Sequence, residues 1–154
     1  MQSEGLKELR ELALQHSRWK HPTMPEQWRC THNYTDKTAG GLTKCILDFL
    51  KFNGFVGERI NSTGRYIDKS KTVTDTLGFS RRIGSGQWIP TAGIKGTADI
   101  SAVIRSRAVK IEVKMKDKQS PDQVEYQKQV EQSGGLYWLV RSFDEFLNFY
   151  NELK

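Results

Sequence analysis

The chain has 154 residues, enough for one compact domain with its own hydrophobic core. It carries 24 lysines and arginines against 18 acidic residues, and the resulting formal net charge of +6 favours a polyanionic partner over an acidic one. No stretch reaches the roughly 18 consecutive apolar residues of a membrane span, and the N-terminus lacks the apolar core of a signal peptide. We therefore expect a cytoplasmic protein without a membrane partner. Its two cysteines are predicted to be reduced, because they are too few for a disulfide framework.

The first part of the chain is predicted to contain two helices, an irregular arm between them and one strand. Apolar residues at helical spacing define the two helices, and Gly54 ends the second. Cys45 lies in the apolar stretch of that second helix and is predicted to be a small core residue. Within the arm, Trp19 and Trp28 are predicted to pin the chain to the core, and stacking on nucleic-acid bases is the alternative. In chain order, the helix, arm, helix and strand cover residues 5–16, 17–37, 42–53 and 55–61.

Residues 62–96 show a weaker pattern, broken repeatedly by glycine and proline. Because a structureless loop of this length is uncommon in a compact domain, one or two hairpin strands are predicted within it, around Tyr66 and over residues 81–89. The segment is rich in basic and aromatic residues that would suit a surface facing nucleic acid. A glycine-rich hairpin with solvated charges explains them equally well. These residues are Arg65, Tyr66, Arg81, Arg82, Trp88 and Lys95.

The remaining residues have the clearest pattern. An antiparallel hairpin is followed by a helix with Ser120 as N-cap and Pro121 at its first position, then by a strand and a closing helix. The hairpin strands cover residues 98–104 and 108–114, the helix ends at the Gly134-Gly135 pair, and the last two elements cover residues 136–140 and 143–153. This order of elements predicts an α/β (α+β) layered domain.

Three polar residues in the hairpin are the candidates for a catalytic site. Asp99 lies near the start of the first strand, and Glu112 and Lys114 are two residues apart on the second, so their side chains share a face. The hairpin can bring Asp99 beside Glu112. Two adjacent carboxylates repel each other unless a cation lies between them, and Mg²⁺ favours such oxygen ligands. The pattern of residues 111–114 is equally typical of a half-solvated strand with a surface charge pair.

A wider set of residues resembles the PD-(D/E)XK nuclease superfamily, and within it the small VRR-NUC domains. The resemblance spans about residues 40–150, with a poorly matched insert at about 62–96. The residues that carry it are Gly96-Thr-Ala-Asp99-Ile, Ile-Glu112-Val-Lys114, Ser120-Pro-Asp-Gln123, Gly134-Gly135 and Val140-Arg141-Ser142. The resemblance implies a restriction-endonuclease-like core over residues 38–154, with a central mixed β-sheet flanked by helices, and an N-terminal helical arm over residues 1–37.

The same resemblance implies roles for individual residues. Asp99 and Glu112 would be metal ligands for Mg²⁺ or Mn²⁺, with the backbone carbonyl of Val113 as a further ligand. Lys114 would be the catalytic lysine, and Gln123 would lie beside the site. Gln127, one helical turn further on, is a secondary candidate. Nucleic-acid contacts are expected from Arg81, Arg82, Lys95, Lys116, Lys118 and Gln127, and further basic residues predicted to flank the site are Arg105, Arg107 and Lys110.

One feature departs from the family pattern. Family members often carry a glutamate in the first core helix, but here Ala39 or Gly40 falls near that position. The nearest acids, Asp36 and Asp48, are out of place, and Glu58 on the following strand is a substitute candidate. A zinc site is a separate alternative, but its four residues match no closed ligand spacing: His16, His21, Cys30 and His32.

The function that these patterns imply is hydrolysis of DNA phosphodiester bonds by a structure-selective or nonspecific endonuclease. Branched DNA such as a Holliday junction would be the substrate, in repair, recombination or phage DNA processing. A homodimer would present two sites to two strands, with the apolar final strand and helix as its interface. One rival is a nucleic-acid-binding module of the same fold that lacks catalysis, which the missing helix glutamate favours. Another is a sequence-specific restriction endonuclease.

Overall fold

The computed structural model describes residues 3–30, 32–61, 64–91 and 93–153. The chain forms two compact units, which we call the core unit, Met1–Ile60 with Gly96–Lys154, and the insert unit, Asn61–Lys95. Helices are numbered α1 (Glu4–Lys20), α2 (Ala39–Phe52), α3 (Pro121–Gln132) and α4 (Phe143–Glu152). Strands are numbered β1 (Val56–Arg59), β2 (Arg65–Asp68), β3 (Lys71–Thr74), β4 (Ser80–Ile83), β5 (Gly86–Ile89), β6 (Ile100–Ile104), β7 (Arg107–Val113) and β8 (Leu136–Val140).

The core unit is built on a four-stranded mixed sheet in the order β1-β6-β7-β8. The β1–β6 and β6–β7 pairs are antiparallel, and the β7–β8 pair is parallel. The parallel pair needs a crossover, and α3 supplies it. The predicted α+β class, with a mixed sheet flanked by helices, is therefore confirmed.

One face of this sheet forms the hydrophobic core against α2 and α4. Because side chains alternate along a strand, every second residue of β6, β7 and β8 points to this face. Helix α1 packs on α2 and α4, and Leu9 is fully buried there. Cys45 lies in this core as predicted. The main buried side chains are Leu42, Ile46, Phe49, Leu50, Ile100, Ile104, Val109, Ile111, Val140, Phe143 and Phe146.

The opposite face of the sheet carries the polar residues and is partly covered by α3. Tyr126 of α3 meets Tyr137 of β8 edge to face, with ring centroids 6.4 Å apart. Helix α3 has no fully buried side chain, because it covers this polar face only in part. The candidate site therefore lies between the sheet and α3, and not in the hydrophobic layer.

The first helix is longer than predicted. Helix α1 continues to Lys20, so the prediction that an irregular arm begins at residue 17 is wrong. The buried guanidinium of Arg29 holds the next segment in place, because it donates to the backbone carbonyls of His21 (3.0 Å) and Met24 (2.7 Å) and to Ser17 Oγ (3.2 Å). The bond to His21 engages a carbonyl at the C-cap of α1, which has no acceptor role within the helix, and the other two tie the following turn to the helix.

The two tryptophans that were predicted to pin the arm to the core do not do so. Trp19 and Trp28 are 78% and 69% exposed, so the preference for a pinning role is wrong. Arg29 has that role instead, since its side chain is buried and bonded on several sides. The rings of both tryptophans are therefore open to solvent or to a partner.

The predicted β6–β7 hairpin is confirmed. Arg105 and Ser106 at its turn have φ values of 48° and 67°, as a tight two-residue hairpin turn requires. The register pairs Ile100 with Ile111 and Ile104 with Arg107. This register is the feature that positions the candidate site.

The insert unit has more strand structure than predicted. Strand β2 pairs with β5 and strand β3 pairs with β4, so the β3–β4 hairpin lies in sequence between the two strands of the outer antiparallel pair. The expected strands around Tyr66 and residues 81–89 are present. Strand β3 was missed because all four of its residues are exposed, which leaves no alternating apolar pattern.

Across the residues that the structure describes, no helix is long and apolar enough to cross a membrane.

Candidate active site

Asp99 is anchored to the neighbouring strand. It immediately precedes β6, and continuing the β6–β7 register by one residue places it opposite Glu112. Its Oδ2 accepts a hydrogen bond of 2.9 Å from the backbone N–H of Val113, and its backbone carbonyl accepts one of 2.7 Å from Ile60. Neighbours on both sides therefore fix Asp99, and the prediction that the hairpin brings it beside Glu112 is consistent with this arrangement.

Glu112 is the most unusual residue of the sheet, because its side chain is ionisable and only 2% of the residue is exposed. Its Oε1 accepts a hydrogen bond of 2.5 Å from Gln123 Nε2 and lies 3.2 Å from Lys114 Nζ. Its Oε2 is buried and makes no hydrogen bond of good geometry among the described residues, although the Tyr137 hydroxyl is close enough to favour its charge. A buried polar atom without a protein partner is costly, so a bound ion or an ordered water is expected at Oε2.

Burial is the main cause that raises the pKa of Glu112, and the charge of Asp99 raises it further. Lys114, by its ion pair, and the Tyr137 hydroxyl, by its proximity, oppose both effects and lower the pKa, but burial and Asp99 outweigh them. The charged form of Glu112 is therefore energetically unfavourable in the folded protein, and a cation near Oε2 would stabilise it.

Tyr137 is the residue that the sequence analysis missed. It lies on β8 with only 9% exposure, and its hydroxyl is the second buried side-chain atom without a hydrogen-bond partner in the described part of the chain. Burial and the charge of Glu112 raise the pKa of this hydroxyl. Its signal in the sequence was weak: a tyrosine within an apolar strand, on the face that alternation assigns to Glu112.

Gln123 is held by the start of α3. Ser120 Oγ accepts from the Gln123 backbone N–H at 3.3 Å, and Gln123 Oε1 accepts from the Ser120 backbone N–H at 2.9 Å, which together form a capping box. The remaining amide nitrogen, Nε2, donates to Glu112. The side chain is therefore bound at both ends, and its prediction as a neighbour of the site agrees with its position.

Gly96 lets α3 approach this closely. Its φ of +75° is in the left-handed region, and a Cβ there would lie 2.2 Å from the carbonyl oxygen of Asp122. Only glycine accommodates both the conformation and the contact. The turn before Asp99 and the helix that carries Gln123 are thus in direct contact.

The other predicted residues form no hydrogen bond or ion pair with Glu112 in the described part of the chain. Gln127 accepts from Gln119 (3.0 Å) and donates to Glu131 (2.8 Å), so its amide is engaged along α3 and not with the carboxylate. Lys116 and Lys118 follow β7 and are exposed, which leaves them able to contact a phosphate backbone.

Three residues of the insert unit were predicted to contact nucleic acid. Arg82 bonds Asp68 and Ser70, Arg81 is exposed on β4 opposite Val73, and Lys95 is exposed at the end of the segment. Arg82 is therefore already paired.

Not every basic residue predicted to flank the site does so. Arg105 lies at the hairpin turn, where it donates to the carbonyl of Leu153 and lies 4.7 Å over the Tyr150 ring. Arg107 begins β7, at the opposite end of the strand from Lys114 and about 23 Å from it at 3.3 Å per residue. The prediction that these two arginines flank the site is wrong.

The acids considered as replacements for the missing helix glutamate have other partners. Asp48 accepts from the Tyr34 hydroxyl (3.0 Å) and pairs with Lys44 (3.1 Å). Asp36 accepts from the backbone N–H of Phe143 at 3.1 Å. Glu58 is exposed on β1 opposite Ser101, on the polar sheet face but not opposite Asp99. None of the three supplies an observed third carboxylate to the pair.

The donor set fits a hard divalent ion that is only partly held by protein. Within the described ranges, no three His, Cys, Asp or Glu side chains gather into a group able to hold a metal, and this covers the four zinc candidates. Two carboxylates, one of them with a buried unpaired oxygen, match the one or two carboxylates by which Mg²⁺ is usually bound. Water or other oxygen ligands would complete its shell.

The fold and the site define an α+β protein whose mixed sheet carries an acidic pair, one member of it buried, beside a lysine. No protein-family model matches the chain, and no curated protein matches its sequence. Any functional assignment therefore depends on the residues and geometry described above.

Proposed function

We propose that this chain is a divalent-metal-dependent nuclease whose site consists of Asp99, Glu112 and Lys114. The observation that carries the proposal is the buried, unpaired Oε2 of Glu112, beside Asp99 and within the same small cluster as Lys114. A protein built only for stability would gain from an apolar residue at this position. An acid kept there at a cost is typical of a functional site.

Each residue of the site would have a separate role. Asp99 and Glu112, with the backbone carbonyl of Val113, would hold the metal ion. Bound Mg²⁺ or Mn²⁺ would supply positive charge at the scissile phosphate and activate water for attack. Lys114 is 17% exposed at its side chain, so its ammonium can reach the phosphate while Glu112 Oε1 keeps it oriented. Gln123 would hold Glu112 in one rotamer from the rigid start of α3.

The order of elements supports membership of the PD-(D/E)XK superfamily. A helix, three sheet strands, a helix and a further parallel strand follow one another in the core unit, with the acidic pair on the central two strands. This is the arrangement that the resemblance implied for residues 40–150. The net charge of +6 supports DNA as the polyanionic substrate, and we propose branched DNA as the preferred form.

The test is cleavage of supercoiled plasmid and of a four-way DNA junction, each with Mn²⁺ or with EDTA. We expect metal-dependent cleavage by the wild type and a loss of at least about 100-fold in Lys114→Ala, the lower range for a group that aids proton transfer or charge stabilisation. Lys128→Ala, an exposed lysine on α3, is the matched control and should retain activity.

Three other outcomes would change the assignment. Equal cleavage by the wild type and Lys114→Ala would remove the activity from this site. DNA binding without cleavage by either protein would favour the non-catalytic module. Discrete fragments from a long linear duplex would favour a restriction endonuclease.

A homodimer remains part of the proposal, but its interface needs revision. The buried residues Tyr137, Trp138, Val140, Phe143 and Phe146 pack inside the protein, and the large exposed hydrophobic residues that the structure describes do not include any from β8 or α4. The final strand and helix therefore lack the exposed apolar surface that the sequence suggested. Sedimentation of the wild type with and without junction DNA would measure the number of subunits.

A further inference from the structure

The ends of α1 and α2 enclose a second concave surface, which we call the α1–α2 cleft. It consists of two adjoining cavities of about 390 and 270 Å³. Three residues line both cavities, namely His16, Lys51 and Phe52. Because α1 and α2 cover the core face of the sheet and α3 covers the polar face, this cleft is on the other side of the sheet from Glu112.

Aromatic rings line the larger cavity. The rings of His16 and Trp19 have centroids 5.7 Å apart, and those of His16 and Phe52 are 4.8 Å apart. Trp19 is 78% exposed, so one side of the indole is open. A tryptophan presented in this way at the rim of a cavity offers a flat surface on which a planar ring can stack.

The smaller cavity is cationic. It is lined by Lys20, Lys44 and Lys51 and by the three histidines of the chain, against a single acid, Asp48. Asp48 is already bonded to Lys44 (3.1 Å) and to the Tyr34 hydroxyl (3.0 Å). In the described part of the chain, Lys20 and Lys51 form no ion pair with a carboxylate. Two lysines without an ion pair therefore line the cavity, and their uncompensated charge suits an anion.

We propose that the α1–α2 cleft binds a nucleotide unit, with its base on Trp19 and its phosphate between Lys20 and Lys51. Only a ligand with both an aromatic plane and an adjacent anion uses the two cavities together. Base stacking with backbone phosphates held by lysines is the usual means by which proteins hold single-stranded nucleic acid. The unit comes either from a nucleic-acid strand or from a free mononucleotide.

The experiment measures binding to the full chain in EDTA, where metal-dependent cleavage does not occur. A fluorescein-labelled thymidine strand of about eight nucleotides is followed by anisotropy. Thymidine monophosphate, thymidine and inorganic phosphate serve as competitors. We expect the monophosphate or an unlabelled strand to displace the label, and thymidine and phosphate to be much weaker. Displacement by the monophosphate identifies a free nucleotide as sufficient, and displacement by the strand alone identifies nucleic acid.

Three variants and two matched controls locate the site. Trp19→Ala should weaken binding by about 5- to 150-fold, the range for loss of one base stack, and Trp19→Phe should restore part of it. Lys20→Ala with Lys51→Ala should weaken binding and reduce its dependence on salt concentration. Trp28→Ala, which removes another exposed indole, should change affinity by no more than about twofold, as should Lys7→Ala on α1.

Some results would overturn the proposal. These are an equal loss in Trp28→Ala and Trp19→Ala, displacement by phosphate as effective as that by the monophosphate, or no binding at all. Because Trp19 is exposed, its removal should leave the melting temperature nearly unchanged, so a fold defect would be visible separately. The proposal does not depend on the nuclease assignment. Binding here is measured without metal, and cleavage is tested at Lys114 on the other side of the sheet.

Discussion

Replacing Glu112 by glutamine should stabilise the metal-free protein while removing its metal binding. The buried Oε2 has no partner among the described residues, and an unsatisfied buried polar atom costs about 1–3 kcal/mol. In Glu112→Gln an amide nitrogen can replace this oxygen and donate towards the Tyr137 hydroxyl. The loss is the charge in the contact with Lys114, worth about 1.5–3 kcal/mol, and the gain also includes relief of the buried charge and of its repulsion by Asp99. Because the sum of these effects raises the pKa of Glu112, the neutral group is favoured overall. We expect a net gain of about 1 kcal/mol, or about 2–4 °C in melting temperature for a chain of this size.

The gain should depend on pH. Because burial and Asp99 raise the pKa of Glu112, the protonated residue contributes stability that is fully present below its ordinary value of 4.5. That stability is lost as the pH rises through the higher value of the folded protein. Glutamine keeps its neutral form throughout, so the advantage of the variant should be larger at neutral pH than near pH 4.

Differential scanning calorimetry in EDTA and in Mn²⁺ tests both halves of this prediction. Mn²⁺ at about 100 times its Kd should stabilise the wild type by about 2.7 kcal/mol, and the variant should lose most of this gain. Glu125→Gln makes the same change at an exposed position of α3 and should be nearly neutral. A variant less stable than the wild type in EDTA would refute the burial argument. An undiminished Mn²⁺ effect would refute Glu112 as a ligand.

Three further substitutions test how α3 is positioned. Gly96→Ala should cost about 2–5 kcal/mol in urea denaturation, because it adds a clash with the Asp122 carbonyl to left-handed strain. Gly134→Ala has a similar φ of +81° but meets nothing within 4 Å, so about 1–2 kcal/mol is expected, and an equal cost at both positions would disprove the contact. Ser120→Ala should cost about 0.5–2 kcal/mol in the same assay by removing the helix cap. It should also lower cleavage, since the Gln123 backbone N–H loses its bond to Ser120 Oγ and the first turn that positions the Gln123 side chain is weakened. Full activity in that variant would show that Gln123 needs no such support.

Local patterns were sufficient to predict most elements of the core unit. Alternation and turn residues identify the β6–β7 hairpin, and the Ser120-Pro121 pair marks the start of α3. These patterns involve residues close in sequence, so their physical causes are visible without the fold. The end of α1 was misplaced because the residue that closes it, Arg29, acts across nine residues from Lys20.

The interactions that define the site are less accessible to sequence reasoning. Glu112 and Tyr137 lie on the neighbouring parallel strands β7 and β8. Only the register of these strands, which pairs Lys110 with Tyr137, brings the Tyr137 ring close to Glu112. The strands of the insert unit pair through exposed residues and show no core face. In both cases the determining fact is a pairing between distant segments, which hydrophobic periodicity does not encode.

Gln123 serves both the local cap of α3 and a contact with Glu112, which is distant in sequence. As a sequence feature, serine followed three residues later by glutamine is a capping box, and it explains the start of α3 without reference to any site. The fold leaves the Nε2 of that same amide free to donate to Glu112, because Oε1 alone serves the cap. This second use requires the helix to lie against the turn before Asp99, and the missing side chain of Gly96 is what permits that contact. The capping residue, the glycine and the acidic pair therefore act as one unit, so a change at any of them should disturb the orientation of Glu112.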